Sequence, residues 1–309
     1  MISQMQSAHF NTFGFVVFRG LLTGAEIGTL RQEVTTAMAD AYGAGYLDDG
    51  VDLASAPAFD LPVMCKSAPF AAGLVADDPR FWEASHYLMG AATVPSQGEA
   101  TCFRANTKWH IDMPLGVSAV KFMIYLDPCS AETGQLQVIP GSHLPEAHEL
   151  CWRYVAQDPE RQGRGFDPDA WPIPAYGVET QPGDVIAFHS NLFHASVGGY
   201  RRFLWDVYYF RDPALEGGEQ QEIVKDAILH MGNYGGMPFD RDKYPVWREW
   251  EVMAEESNAA RTALGRLRRL GVLTTPGADV GEPDWQPRLP KPSVQLGTGS
   301  PPTLRAGKR

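Results

Sequence analysis

Pro182-Gly183-Asp184-Val185-Ile186-Ala187-Phe188-His189-Ser190-Asn191-Leu192-Phe193-His194-Ala195-Ser196 decides the reading of the fold. Pro-Gly-Asp is a turn signal, and the apolar run behind it is short enough for a single buried strand. The same texture extends outward from about Thr101 to Phe210. Lys121 to Leu126, Leu136 to Ile139, Asp184 to Phe188 and Phe203 to Phe210 read as short strands between Gly, Pro and Asp breakers. Strands of this length separated by turns, with no helical pattern between them, predict a β-barrel or jelly roll and not a parallel sheet.

Helices are expected on either side. Gly14 to Gly20 reads as a short strand, after which Thr23 and Glu26 form a capping-box signature. A helix should run from about Ala25 to Ala41, with Ile27, Leu30, Val34 and Met38 on its apolar stripe. Residues 43 to 70 look irregular, Phe81 to Met89 helical. The insert from Pro145 to Pro182 is rich in Pro, Gly and Asp, and is expected to lack regular structure and to act as a lid or substrate wall. Glu219 to His230 and part of Tyr244 to Leu270 should be helical. From Gly271 to the end, Pro, Gly, Thr and Ser predict an extended tail. The expected organisation is one domain over 1–270, with its β core at about 101–210, and a tail over 271–309.

Composition narrows the partners. With 37 acidic and 26 basic residues the formal net charge is -11, which argues against nucleic acid or an anionic membrane surface. Four scattered cysteines contain no CxxC pair, so neither a zinc ribbon nor a thioredoxin-like site is expected. The N-terminal residues lack a basic-then-apolar signal pattern, and no apolar run reaches the ~20 residues of a membrane helix. A cytoplasmic protein acting on a small molecule is the expectation, with the oligomeric state left open.

Within this frame, Trp109-His110-Ile111-Asp112 is the first motif with chemical content. Residues two apart on a strand share a face, so His110 and Asp112 can reach one ion. His194 lies 82 residues after Asp112. Two His and one carboxylate form the facial triad of non-haem Fe(II) oxygenases, which leaves three coordination positions open. Those positions suit 2-oxoglutarate, which takes two, and O2, which takes one. A zinc hydrolase site needs only one open position.

A cation for the distal carboxylate of 2-oxoglutarate is expected nearby. Val197-Gly198-Gly199-Tyr200-Arg201-Arg202-Phe203 reads as a hairpin with Gly198-Gly199 as its two-residue turn. Directly opposed residues share a face, so that register puts Ser196 and Arg201 beside His194 and turns Arg202 away. A three-residue loop would reverse the parity and favour Arg202. On the neighbouring strand Met123 and Tyr125 alternate and are candidates for the cosubstrate pocket, and Trp205 shares the parity of Arg201. Core packing explains each equally well.

The segments FNTFGFVVFRGLLTGAEI at 10–27, WHID at 109–112, KFMIYLDPCSAETGQLQVIPGSH at 121–143 and GDVIAFHSNLFHAS at 183–196, followed by YRR, together resemble the phytanoyl-CoA dioxygenase family. The resemblance covers roughly the first 270 residues. It implies a double-stranded β-helix, a cupin-like jelly roll with the metal at its mouth. It also implies hydroxylation of an unactivated carbon, with 2-oxoglutarate converted to succinate and CO2. Desaturation, ring closure and epoxidation occur in the same family. Relatives carry a His at both the His189 and His194 positions and use the second, and the PGSH turn containing His143 is structural there. Halogenating relatives replace the carboxylate of HxD, whereas Asp112 retains it. The spacing from His194 to Arg201 is shorter than in many relatives. Two rivals from other classes are a cupin-like isomerase or hydrolase using another divalent metal, and a non-catalytic small-molecule binding protein.

Overall fold

The computed structural model describes residues 2–47, 58–63, 68–76, 78–156, 175–231 and isolated positions between 239 and 271. Two antiparallel sheets form its centre. The larger has the order β1 (Phe15–Phe18), β8 (Val185–His189), β5 (Ala119–Tyr125), β10 (Arg202–Arg211), β3 (Thr93–Phe103) and β2 (Ala58–Pro62). The smaller has the order β4 (Thr107–His110), β9 (His194–Ser196), β6 (Leu136–Val138) and β7 (Tyr176–Val178). This is the jelly roll expected of the strand texture.

Strand alternation divides the larger sheet into two faces. Val120, Phe122, Ile124, Ala187, Trp205, Val207 and Tyr209 point to a core shared with the helices. Met123, Tyr125, Ile186, Phe188 and Leu204 point the other way and meet Leu136, Val138 and Val178 of the smaller sheet. The second face is the barrel interior.

The helices that close the outer face are α1 (Gln4–Phe13), α2 (Gly24–Tyr42), α3 (Pro69–Ala76), α4 (Pro79–Met89) and α6 (Glu219–His230). The capping box of α2 forms as its sequence predicts, with Thr23 as the cap and Glu26 reaching back to it. Arg80 of α4 pairs with the same Glu26 at 2.7 Å, fastening two helices at their N-termini. Asp184, from the Pro-Gly-Asp turn, accepts from the Gly20 and Gln181 amides and from Arg19, which pins the chain after β1 to the start of β8.

Three expectations are corrected. The insert beginning at Pro145 opens with a helix, α5 (Pro145–Ala156), and ends with β7. His148, Cys151 and Trp152 recur at helical spacing, and the last two pack on Trp109 and Phe193. The Pro, Gly and Asp residues that dominated the sequence reading lie mostly at 157–174, outside the described residues. The excursion at 43–70 contributes the edge strand β2. Finally, the 196–202 segment is not a hairpin. β9 and β10 belong to different sheets, and the chain crosses between them through Gly198 and Gly199, both at positive φ. A Cβ on Gly199 would collide with the Thr133 and Gly134 backbone, so close approach is the reason for glycine there. Most of the expected 244–270 helix and nearly all of the 271–309 tail fall outside the described residues.

Candidate metal centre

His110 and His194 are partners in the antiparallel pairing of β4 with β9. Direct opposition brings their rings to a centroid distance of 4.1 Å. Asp112 follows at the end of β4, where its amide and that of Met113 both donate to the Ser190 carbonyl. Asn191 holds the next turn by donating to the Met113 and Pro114 carbonyls at 2.6 and 2.8 Å. The β8–β9 loop thus fixes the carboxylate while β9 supplies the second imidazole. Asp112 Oδ1 lies 3.5 Å from Nε2 of both His110 and His194. One ligand atom from each of the three residues lies within 4.8 Å of the others.

The protonation state suits a cation. His194 Nδ1 donates to the Leu192 carbonyl at 2.9 Å, so the proton sits on Nδ1 and the Nε2 lone pair faces Asp112. Burial, then His110, pushes the His194 pKa down and keeps the ring neutral. Burial alone would raise the Asp112 carboxyl, but Lys121 and the two imidazoles outweigh it and hold it well below the usual range. Asp112 Oδ2 is buried with no hydrogen-bond partner among the described residues. An anionic carboxylate beside two imidazoles is a complete donor set for a divalent ion such as Fe(II), and an orphaned buried oxygen is costly without one.

His189 is separate from this cluster. It lies on the outer side of β8, its ring 5.3 Å from that of His143, and burial pushes its pKa down to about 3. His143 contacts the Asn11 carbonyl.

The residues proposed around the cosubstrate are distributed unevenly. Ser196 and Met123 face the interior and are buried. Trp205 faces the opposite way, packed in the helix-side core with its Nε1 donating to the Val63 carbonyl at 3.2 Å. Arg201 is exposed, has φ of 57°, and donates to the Leu47 carbonyl. Arg202 is the buried one. Its Nη1 and Nη2 donate to the Gly134 and Ala105 carbonyls at 2.9 and 2.7 Å, and its Nε has no partner among the described residues. Because the strands that flank the loop do not pair, hairpin parity does not govern this segment. Parity along β10 does, and it groups Arg202 with Leu204, Asp206 and Tyr208.

Tyr125 faces the interior with Met123, and three further residues there, Lys121, Asp206 and Tyr208, escaped the sequence reading. Tyr125 is linked to Ser196 by a side-chain hydrogen bond, and burial raises its pKa to about 12. Lys121, Asp206 and Tyr208 form a polar group next to Asp112. Lys121 Nζ lies 3.2 Å from Asp206 Oδ2 and 3.9 Å from Asp112 Oδ2. Burial raises the Asp206 carboxyl to about 6 despite its lysine neighbour. The available signal was a charge in the middle of an otherwise apolar strand, in KFMIYL and again in FLWDVYYF.

Residues 10–201 match the family described as phytanoyl-CoA dioxygenase (PhyH). The chain belongs to that family. PhyH proteins are Fe(II)- and 2-oxoglutarate-dependent oxygenases, so this protein is one by membership. No curated protein matches it by sequence. Among solved structures it is similar to the epimerase SnoN in complex with Fe3+, alpha ketoglutarate and nogalamycin RO, at 18% identity and a TM-score of 0.51, covering 68% of this chain and 84% of that one. It is also similar to EctD from S. alaskensis with 2-oxoglutarate and 5-hydroxyectoine, at 21% identity and a TM-score of 0.50, covering 68% and 77%. HygX from Streptomyces hygroscopicus, with nickel and 2-oxoglutarate bound, has 17% identity and a TM-score of 0.50, covering 68% and 87%. These likenesses establish a shared jelly roll between this PhyH protein and the three enzymes. No helix among the described residues is long and apolar enough to cross a membrane.

Proposed function

We propose that this PhyH protein hydroxylates an unactivated carbon of a small metabolite or natural-product intermediate, with His110, Asp112 and His194 as its iron ligands. The convergence of those three side chains on one point carries the reading. Bound Fe(II), with 2-oxoglutarate and O2, supplies the oxidising chemistry, and succinate and CO2 are the co-products.

The chain's own part is to bind, orient and exclude water. Arg202 is the cation for the distal carboxylate of 2-oxoglutarate, in place of Arg201. Its unpartnered Nε and its place on the interior face support that assignment. Ser196 and Tyr125, hydrogen-bonded to each other, complete the polar end of that pocket. Met123, Phe188 and Leu204 form its apolar wall and keep water away from the ligands. Leu192 holds His194 in the tautomer that a metal requires. An acyl-CoA substrate is disfavoured, because the charge of Lys121, the buried lysine beside the cluster among the described residues, is already neutralised by Asp206 and is not available to a phosphate.

Succinate formation by the purified protein, supplied with Fe(II) and 2-oxoglutarate, tests the reading. It should depend on added Fe(II) and fall to background in Asp112→Ala. Turnover without iron, or retained in that variant, contradicts it.

A further inference from the structure

Asp206 is a carboxylate with half of its hydrogen-bonding capacity unused. It lies in the middle of β10 on the interior face, and only 2% of its surface is exposed. Its Oδ2 meets Lys121 Nζ at 3.2 Å, but its Oδ1 is buried with no partner among the described residues. A buried, ionisable oxygen left open is costly, and a folded protein keeps one where something else comes to fill it. Lys121 fixes the location. Its ammonium sits 4.8 Å over the Tyr208 ring and 3.9 Å from Asp112 Oδ2, so the Lys121–Asp206 pair is held next to the metal cluster, on the side of the larger sheet.

We propose that Lys121 and Asp206 form a substrate-recognition subsite for a neutral hydroxyl group, and that the substrate is a polyol. This rests on the oxygenase reading above. A hydroxyl donates one hydrogen bond and accepts another, and the pair offers one of each: Asp206 Oδ1 accepts, and Lys121, which has three N–H groups, donates. The charges around the pair exclude the alternatives. A substrate ammonium at Oδ1 would stand beside the Lys121 ammonium. A substrate carboxylate would stand beside Asp206 and Asp112. A neutral group that satisfies both partners meets neither repulsion. It would also be held near the ligands, where a neighbouring C–H bond is the one presented for oxidation.

The test uses the full chain with Fe(II) and 2-oxoglutarate under anaerobic conditions, reading the visible charge-transfer band of the chelate. The probes are myo-inositol and methyl β-glucoside, with hexylamine, octanoate and octanoyl-CoA in parallel. A polyol should shift the band, and the amine, carboxylate and thioester should not. Asp206→Asn turns the open acceptor into a donor once its oxygen faces Lys121, and should weaken the polyol response at least tenfold while the band itself still forms. A response to the amine, carboxylate or thioester, no response to either polyol, or an unchanged response in Asp206→Asn overturns the proposal and leaves the oxygenase reading intact. If the unaltered chain forms no band, the oxygenase reading fails first and takes the subsite with it. The wild-type panel decides the matter even if the variant does not fold.

Discussion

Ser196 and Arg202 donate to the same acceptor, the Gly134 carbonyl, at 2.8 and 2.9 Å, although they belong to strands of different sheets. That shared oxygen joins the two halves of the barrel at the end where the cosubstrate's distal carboxylate is proposed to lie. It also leaves Arg202 Nε as the donor not yet used.

Arg202→Ala should therefore weaken 2-oxoglutarate binding by about 10-fold or more, since a charge-assisted hydrogen bond to a carboxylate is worth about 1.5–3 kcal/mol. Arg201→Ala should change it less than about twofold. Isothermal titration with the Fe(II)-loaded protein checks both. Equal effects, or the reverse order, would remove Arg202 from its assigned role.

Gly134 is as constrained as the residues it serves. It has φ of 82°, and a Cβ there would lie 2.9 Å from Arg202 Cδ and 2.5 Å from the Gly198 carbonyl oxygen. Gly134→Ala should cost about 1–3 kcal/mol of stability from left-handed backbone strain alone. Thermal unfolding should show the loss together with reduced 2-oxoglutarate affinity. A variant with wild-type values for both would mean that the junction is not rigid.

Trp205 provides the opposite case. Buried on the helix side and bonded to Val63, it should cost about 3–5 kcal/mol when replaced by Ala. Chemical denaturation should register that loss, while the folded fraction still binds 2-oxoglutarate with unchanged affinity. A selective loss of affinity would return Trp205 to the pocket.

Glu26 gives a pH dependence with a defined sign. Its hydrogen bond with Arg80 lowers its pKa from 4.5 to about 2, against the effect of burial. A depressed carboxylate stabilises the folded state at pH values above its unfolded pKa. That contribution is lost as pH falls through the folded value, so the window is about pH 4.5 down to about 2. Glu26→Gln keeps the capping box, which Gln serves as well as Glu, and should be less stable at pH 7 by about 0.5–1 kcal/mol through loss of the ion pair with Arg80. The gap from wild type should narrow as the pH is lowered through that window. A gap that stays constant would show that the ion pair contributes nothing.

The jelly roll and the pair HxD plus distal His were legible because both are local. Turn residues bound each strand, and one strand's alternation puts His110 and Asp112 on one side. The helix α2 was legible for the same reason, its cap and stripe lying within twenty residues. Arg202 was not, because its orientation depends on which strands pair. The sequence at Gly198-Gly199 suits a hairpin turn and a crossing between sheets equally well, and only the close approach of Gly199 to Thr133 distinguishes them. Lys121 and Asp206 were hidden for a similar reason. Each is an anomaly within its own strand, and they explain one another only once β5 and β10 are paired.

In this reading His110, Asp112 and His194 hold one iron to which 2-oxoglutarate binds. Anaerobic titration of the protein with Fe(II) and then 2-oxoglutarate, followed in the visible region, tests it most directly. A weak charge-transfer band should appear, saturate at one iron per chain and be absent in His194→Ala. No band in the unaltered protein, or an undiminished band in His194→Ala, would contradict it.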